Sequence, residues 1–114
     1  MSKLTSKCIL NVKSILEVFG GKWVLLVIGE IMTGKHRFNE IVESLGITPR
    51  KLSEVLKHLE NEGVVNRIVK DETPVLIEYH LTKKGLDFEE VIIAIRSWGE
   101  VWVKEEEELW KIWL

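Results

Sequence analysis

Residues 45–63 read LGITPRKLSEVLKHLENEG. Thr48 followed by Pro49 is a helix start. A threonine hydroxyl can accept from an orphan amide of the first turn, and proline at the first helical position gives up only an N–H that lacks a partner there. Leu52, Val55, Leu56 and Leu59 then recur at i, i+3, i+4 and i+7, one face of an amphipathic helix, and Gly63 supplies a left-handed stop. The opposite face shows Arg50, Lys51, Ser53, Glu54, Lys57 and His58, mostly basic toward its N-terminal end.

Upstream, Phe38, Ile41, Val42 and Leu45 mark another helical stripe that stops at Gly46. Two helices joined by Leu45-Gly46-Ile47-Thr48, the second with a basic outer face, have the form of a helix-turn-helix over about residues 37–62. The apolar stripe would anchor the second helix while its leading polar residues enter a major groove. Downstream the period changes. Val64 to Lys70 and Val75 to Thr82 are rich in β-branched residues, with Val75, Ile77, Tyr79 and Leu81 alternating. The turn-like Asp71-Glu72-Thr73-Pro74 between them makes an antiparallel hairpin, a wing over about 64–82.

Farther out, Val12, Ile15, Leu16 and Phe19 form a helical stripe over about 9–19, closed by Gly20-Gly21. Lys22 to Met32 is apolar almost all round and belongs at the centre of the domain. A last helical region, about 86–113, has apolar residues on more than one face around Val91 to Ile95. Such a helix must be covered twice, and a second copy of the chain is the expected second cover. The fold class is therefore mainly α with a β-hairpin wing (α+β), a winged helix-turn-helix dimerising through its N- and C-terminal helices.

The chain has 114 residues, 46% of them hydrophobic, a net charge of −2 and one cysteine. These figures suit one domain across 1–114 that folds by burial alone, without an intrachain disulfide, and a reducing cytoplasm is the expected compartment. No apolar run reaches the roughly 18 residues that span a bilayer, and the N-terminus does not read as a secretory signal. The small net charge hides an asymmetry. Residues 1–70 carry eleven bases and seven acids, residues 71–114 five bases and eleven acids. A mildly basic half on an acidic chain leaves room for a polyanion-facing surface.

The chain resembles the HxlR family of winged-helix transcription regulators, relatives of the MarR group. The matching residues are Cys8, Gly20-Gly21-Lys22-Trp23, Gly34 with Arg37-Phe38-Asn39-Glu40-Ile41, Gly46-Ile47-Thr48, Leu52-Ser53, Leu56-Lys57-His58-Leu59-Glu60, Gly63-Val64-Val65, Arg67, Pro74, Glu78-Tyr79, Leu81-Thr82, Gly85 and Trp98-Gly99. What the resemblance implies is a homodimer on an inverted-repeat operator, one recognition helix per half-site, with flanking wings and no cofactor for binding. A repressor is expected rather than an activator.

Arg50, Ser53 and Lys57 share one face, with Thr48, Pro49 and Lys51 at its leading edge, and these are the candidate contacts to base edges and phosphates. Glu54 lies within that face and either accepts from a cytosine amino group or holds a neighbouring Lys or Arg. Arg37 makes either a phosphate contact or an ion pair with an acid such as Glu40. On the wing Lys70 is the candidate DNA contact, with Arg67 its only other base, but the tip carries acids and puts wing contact in question. A winged-helix protein-interaction module without DNA binding is the rival, and its hallmark is recognition-helix charges consumed in intramolecular pairs.

Cys8 has two readings. In several family members the equivalent cysteine senses oxidants or electrophiles, and Lys7 could favour its thiolate. Otherwise it is an idle thiol at the dimer edge. Here Ile9 follows it, where members commonly have Pro. Val91, Ile92, Ile95, Trp98 and Trp102 are the candidate dimer interface. The Trp residues, with Trp110 and Trp113, either pack that seam or line a small-molecule effector pocket in it. Glu105 to Glu108 reads as a solvated face. Enzyme chemistry fails on inventory. His36, His58 and His80 have no partner at ligand or triad spacing, and no phosphate-binding glycine loop is present.

Overall fold

The computed structural model describes residues 4–103. Helix α1 spans Ser6–Phe19, α2 Lys22–Met32, α3 Phe38–Leu45 and α4 Pro49–Asn61. Strands β1 (Val65–Lys70) and β2 (Leu76–Leu81) follow, then the one-turn α5 (Lys83–Leu86) and α6 (Glu89–Trp102). The winged helix-turn-helix expected from the sequence is present.

The reasons are local in α4. The Thr48 side chain accepts from the Lys51 amide at 3.1 Å and Pro49 opens the helix. Gly46, at φ 67° and ψ 23°, makes the left-handed turn that ends α3, a conformation that costs other residues free energy. Leu52, Val55, Leu56 and Leu59 are all buried, each removal of such a side chain from water contributing about 1.5–3 kcal/mol. They pack with Val24, Val27, Ile28 and Ile31 of α2, Ile41 of α3, Ile47, Val64, Val65 and Tyr79. Helix α2 meets α3, α4, β2 and α6, the central position its all-round apolarity requires.

The strands pair antiparallel with Val65 opposite Leu81 and Lys70 opposite Leu76. Val75 precedes β2 and is 62% exposed, so the expected inward alternation begins at Ile77. On its other edge β2 is held by the α2–α3 connector, where the Tyr79 amide donates to the His36 carbonyl at 2.7 Å. His36 Nδ1 lies 3.0 Å from the Tyr79 carbonyl, and its ring stacks on His80.

The expected C-terminal helix from about Leu86 is instead two elements. The Thr82 hydroxyl donates to the Gly63 carbonyl at 2.6 Å and its oxygen accepts from the Gly85 amide, which closes α5 against the end of α4. A Cβ at Gly85 would stand 2.5 Å from the Val64 carbonyl oxygen, so only glycine fits this approach. The chain then re-enters a helix at Glu89. Trp110, Trp113 and Glu105 to Glu108 lie outside the described residues.

Candidate nucleic-acid interface

With its apolar stripe buried, α4 turns Arg50, Ser53 and Lys57 outward together, and all three are exposed. The Arg50 side chain is 93% exposed. Glu54 holds neighbours, as one of its two readings required: it stands 3.8 Å from both Arg50 Nε and Lys51 Nζ. Pairs this long and this exposed contribute little, so they position the cations without consuming them. Lys57 has no ion pair among the described residues. Thr48 is spent mainly on capping, and Pro49 is exposed at the leading edge.

His58 does not belong to this face. Its Nε2 lies 2.7 Å from the Val18 carbonyl at the end of α1, and the ring is half-buried. His36 likewise turns in against β2. Arg37, at the N-cap of α3, is exposed and forms no ion pair among the described residues, so the pairing with Glu40 is not made. It stays available beside the helix-turn-helix.

The wing differs from expectation in which cation is free. Lys70 Nζ lies 3.1 Å from Glu78 Oε1, a diagonal cross-strand pair, and the same oxygen meets His80 Nε2 at 2.9 Å. The Glu78 side chain is only 15% exposed. The His80 hydrogen bond, then the Lys70 one, holds its carboxyl below the usual carboxylate range. Arg67, exposed and outside any ion pair among the described residues, is the wing's free cation, where the sequence alone points to Lys70 as the DNA contact. A depressed carboxyl contributes stability above its unfolded-state pKa and loses it as the pH falls through the folded value. Thermal unfolding of Glu78→Gln should therefore lack an acid-linked destabilisation that the native protein shows below the ordinary carboxylate range. If the freed Lys70 reaches DNA, the salt dependence of binding should also steepen by about one unit per wing.

Away from this face, α1 and α6 expose their apolar residues. Ile9, Leu10, Ile15 and Leu16 are uncovered on α1, as are Val91, Ile93, Ile95, Trp98 and Trp102 on α6, the two tryptophans at 65% and 72%. Ile92 differs from its neighbours because it packs, half-buried, against the chain's own core. Cys8 is half-buried in the first turn of α1, and its amide donates to the Thr5 hydroxyl at 3.2 Å. Hydrogen bonding with the Thr5 side chain, then with its backbone, lowers the thiol's pKa. No cluster of three metal-ligating side chains occurs among the described residues.

A basic-faced recognition helix set on a closed core and followed by a two-stranded wing defines a winged helix-turn-helix DNA-binding protein. The chain belongs to the HxlR-like helix-turn-helix family, whose pattern matches residues 18–107. It is 42% identical over 89 residues to the HTH-type transcriptional regulator YvaP of Bacillus subtilis, covering 77% of this chain and 82% of that one. The reduced form of the redox regulator HypR superposes with a TM-score of 0.75 at 37% identity, over 80% of this chain and 91% of that one. The reduced form of the regulator YodB from B. subtilis does so at 0.73 and 33%, over 89% and 96%, and its diamide-treated form at 0.68 and 32%, over 91% and 100%. The chain is thus an HTH-type transcriptional regulator and not an enzyme.

Proposed function

We propose that the protein is a homodimeric repressor that binds an inverted-repeat operator in the cytoplasm, placing one α4 in the major groove at each half-site. The observation that carries this reading is the outward face of α4. Arg50, Ser53 and Lys57 are exposed side by side on a helix fixed by four buried residues, with Lys51 and Pro49 at its leading edge and Arg37 beside it. Base edges are the targets of Arg50 and Ser53, and phosphates those of Lys51, Lys57 and Arg37. The rival interaction module draws on the two Glu54 pairs, but at 3.8 Å and in solvent they leave Arg50 and Lys51 free to exchange carboxylate for phosphate. A mobility-shift assay on the DNA upstream of the protein's own gene tests the reading. A retarded band, displaced by the same duplex and not by unrelated DNA, is expected, and its absence at micromolar protein overturns it.

The signal is an oxidant or electrophile read by Cys8. Its lowered thiol pKa raises the thiolate fraction near neutral pH, and the thiolate is the reactive form. With one cysteine per chain, two subunits can each lose a proton and an electron to the oxidant and join as an intersubunit disulfide, or each thiol can pair with a small thiol. HypR is described as a redox regulator, and YodB is known both reduced and diamide-treated, which supports the class of signal. Cys8→Ser should bind the operator normally and ignore diamide, while the native protein releases it. Thr5→Val should shift the pH profile of Cys8 alkylation upward, because it removes the hydroxyl that favours the thiolate. Equal diamide responses from Cys8→Ser and native protein would remove redox sensing and leave the tryptophan-rich seam as the effector's place.

A further inference from the structure

We propose that His58 is a positioning residue, the joint through which the dimerisation helix α1 sets the orientation of the recognition helix α4. The inference rests on the DNA-binding reading above and goes beyond it by naming how the dimer's geometry reaches the DNA-facing residues.

Helix α1 is nearly free of its own domain. From Ser6 to Glu17 every residue but Cys8 is exposed, and the helix turns half-buried only at Val18 and Phe19. That end is held by the packing of Phe19 against the core and, among the described residues, by a ring stack and a hydrogen bond. Phe19 stacks on Phe88, the N-cap of α6, with ring centroids 4.0 Å apart and planes 7° from parallel. On α4, His58 Nε2 reaches the Val18 carbonyl at 2.7 Å. That carbonyl lies in the last turn of α1, where the helix has no amide left to satisfy it. A carbonyl oxygen only accepts, so Nε2 carries the proton and donates.

The stacked rings can slide on one another, since ring contacts tolerate offset. The hydrogen bond is directional and weakens steeply away from linearity, so it ties the end of α1 to α4, whose rotation on the core the buried stripe sets. His58 follows Lys57 directly and lies two turns beyond Arg50 on the same helix. A tilt of α1 imposed at the dimer seam is therefore passed to α4 together with the core that holds it, and the aim of Arg50, Ser53 and Lys57 changes with it. Two such joints act in a dimer whose helices must match half-sites about 34–36 Å apart.

The test compares the native full-length dimer with His58→Gln, which keeps an N–H at nearly the same reach, and with His58→Phe and His58→Ala, which lose it with and without the ring. Two readouts separate positioning from stability. The first is the ratio of affinities for the upstream duplex and for unrelated DNA of equal length. The second is the distance distribution between spin labels at Asn61, an exposed position at the end of α4, in a Cys8→Ser, Asn61→Cys background. The donor-less variants should dimerise and melt cooperatively, lose about tenfold in upstream-duplex affinity with unrelated-DNA affinity unchanged, and broaden the label distances. His58→Gln should restore both. Native ratios and distances in either folded donor-less variant, or a loss on both DNAs together in step with unfolding, would overturn the joint. If the native protein binds no DNA, the DNA-binding reading fails, and the label distances alone decide the joint.

Discussion

Trp98→Glu should convert the protein to a folded monomer that has lost about 10²- to 10⁴-fold in operator affinity, because the second half-site is then no longer tethered to the first. Trp98 is 65% exposed on α6 and lies outside the hydrophobic core, so a charge there leaves that core intact. In the proposed dimer it would instead be buried in a seam that would cover Val91, Ile95, Trp98 and Trp102 with the matching residues of a second copy. The exposed side of α1, with Ile9, Leu10, Ile15 and Leu16, extends the same apolar surface. A surface of this extent on a water-exposed domain calls for a partner, and identical chains pair most simply about a two-fold axis. Sedimentation gives the oligomeric state, circular dichroism the fold and a mobility shift the affinity. Ile92→Glu serves as the contrast. That side chain packs against the core of its own chain, so it should unfold the protein instead of splitting it. A native protein that sediments as a monomer at micromolar concentration would overturn the dimer and the two-half-site mechanism with it.

The elements that the sequence displays most openly are those whose causes are local. Thr48, Pro49, the four-residue stripe and Gly46 act within one or two turns, and α4 begins and buries itself where they direct. The hairpin was legible for the same reason. Long-range partners were not. His58 sits among lysines and a glutamate and reads as part of the polar face until α1 folds over it, forty residues away in sequence. Lys70 and Glu78 become a pair only through the strand register, which no composition states. The break before α6 depends on Thr82 reaching back to the Gly63 carbonyl and on Gly85 passing against Val64, both contacts between elements. Ile92 and Ile93 are neighbours with identical side chains, and only the direction in which α6 docks separates the core-packed one from the exposed one.

Operator affinity should fall by about 10³ to 10⁵ between 50 and 200 mM salt. Arg37, Lys51 and Lys57 from each of two subunits would neutralise on the order of six phosphates and release their counterions. The overall charge of −2 does not oppose this, because the DNA is met by a local face whose acid, Glu54, is already shared between two cations. The residues of the face should separate by role. Lys57→Ala leaves one phosphate per subunit without its cation, so it should weaken all sequences alike and lower the log–log slope by about one unit for each such phosphate. Arg50→Ala should cost about 1–3 kcal/mol on the operator and relax preference at one position of each half-site, as removal of a bidentate guanine pairing does. Glu54→Gln releases Arg50 and Lys51 and should strengthen binding to unrelated DNA more than to the operator, since it adds charge without adding base readout. Affinity that does not change with salt would mean that these cations never meet phosphate, and the exposed face of α4 would then belong to a protein partner.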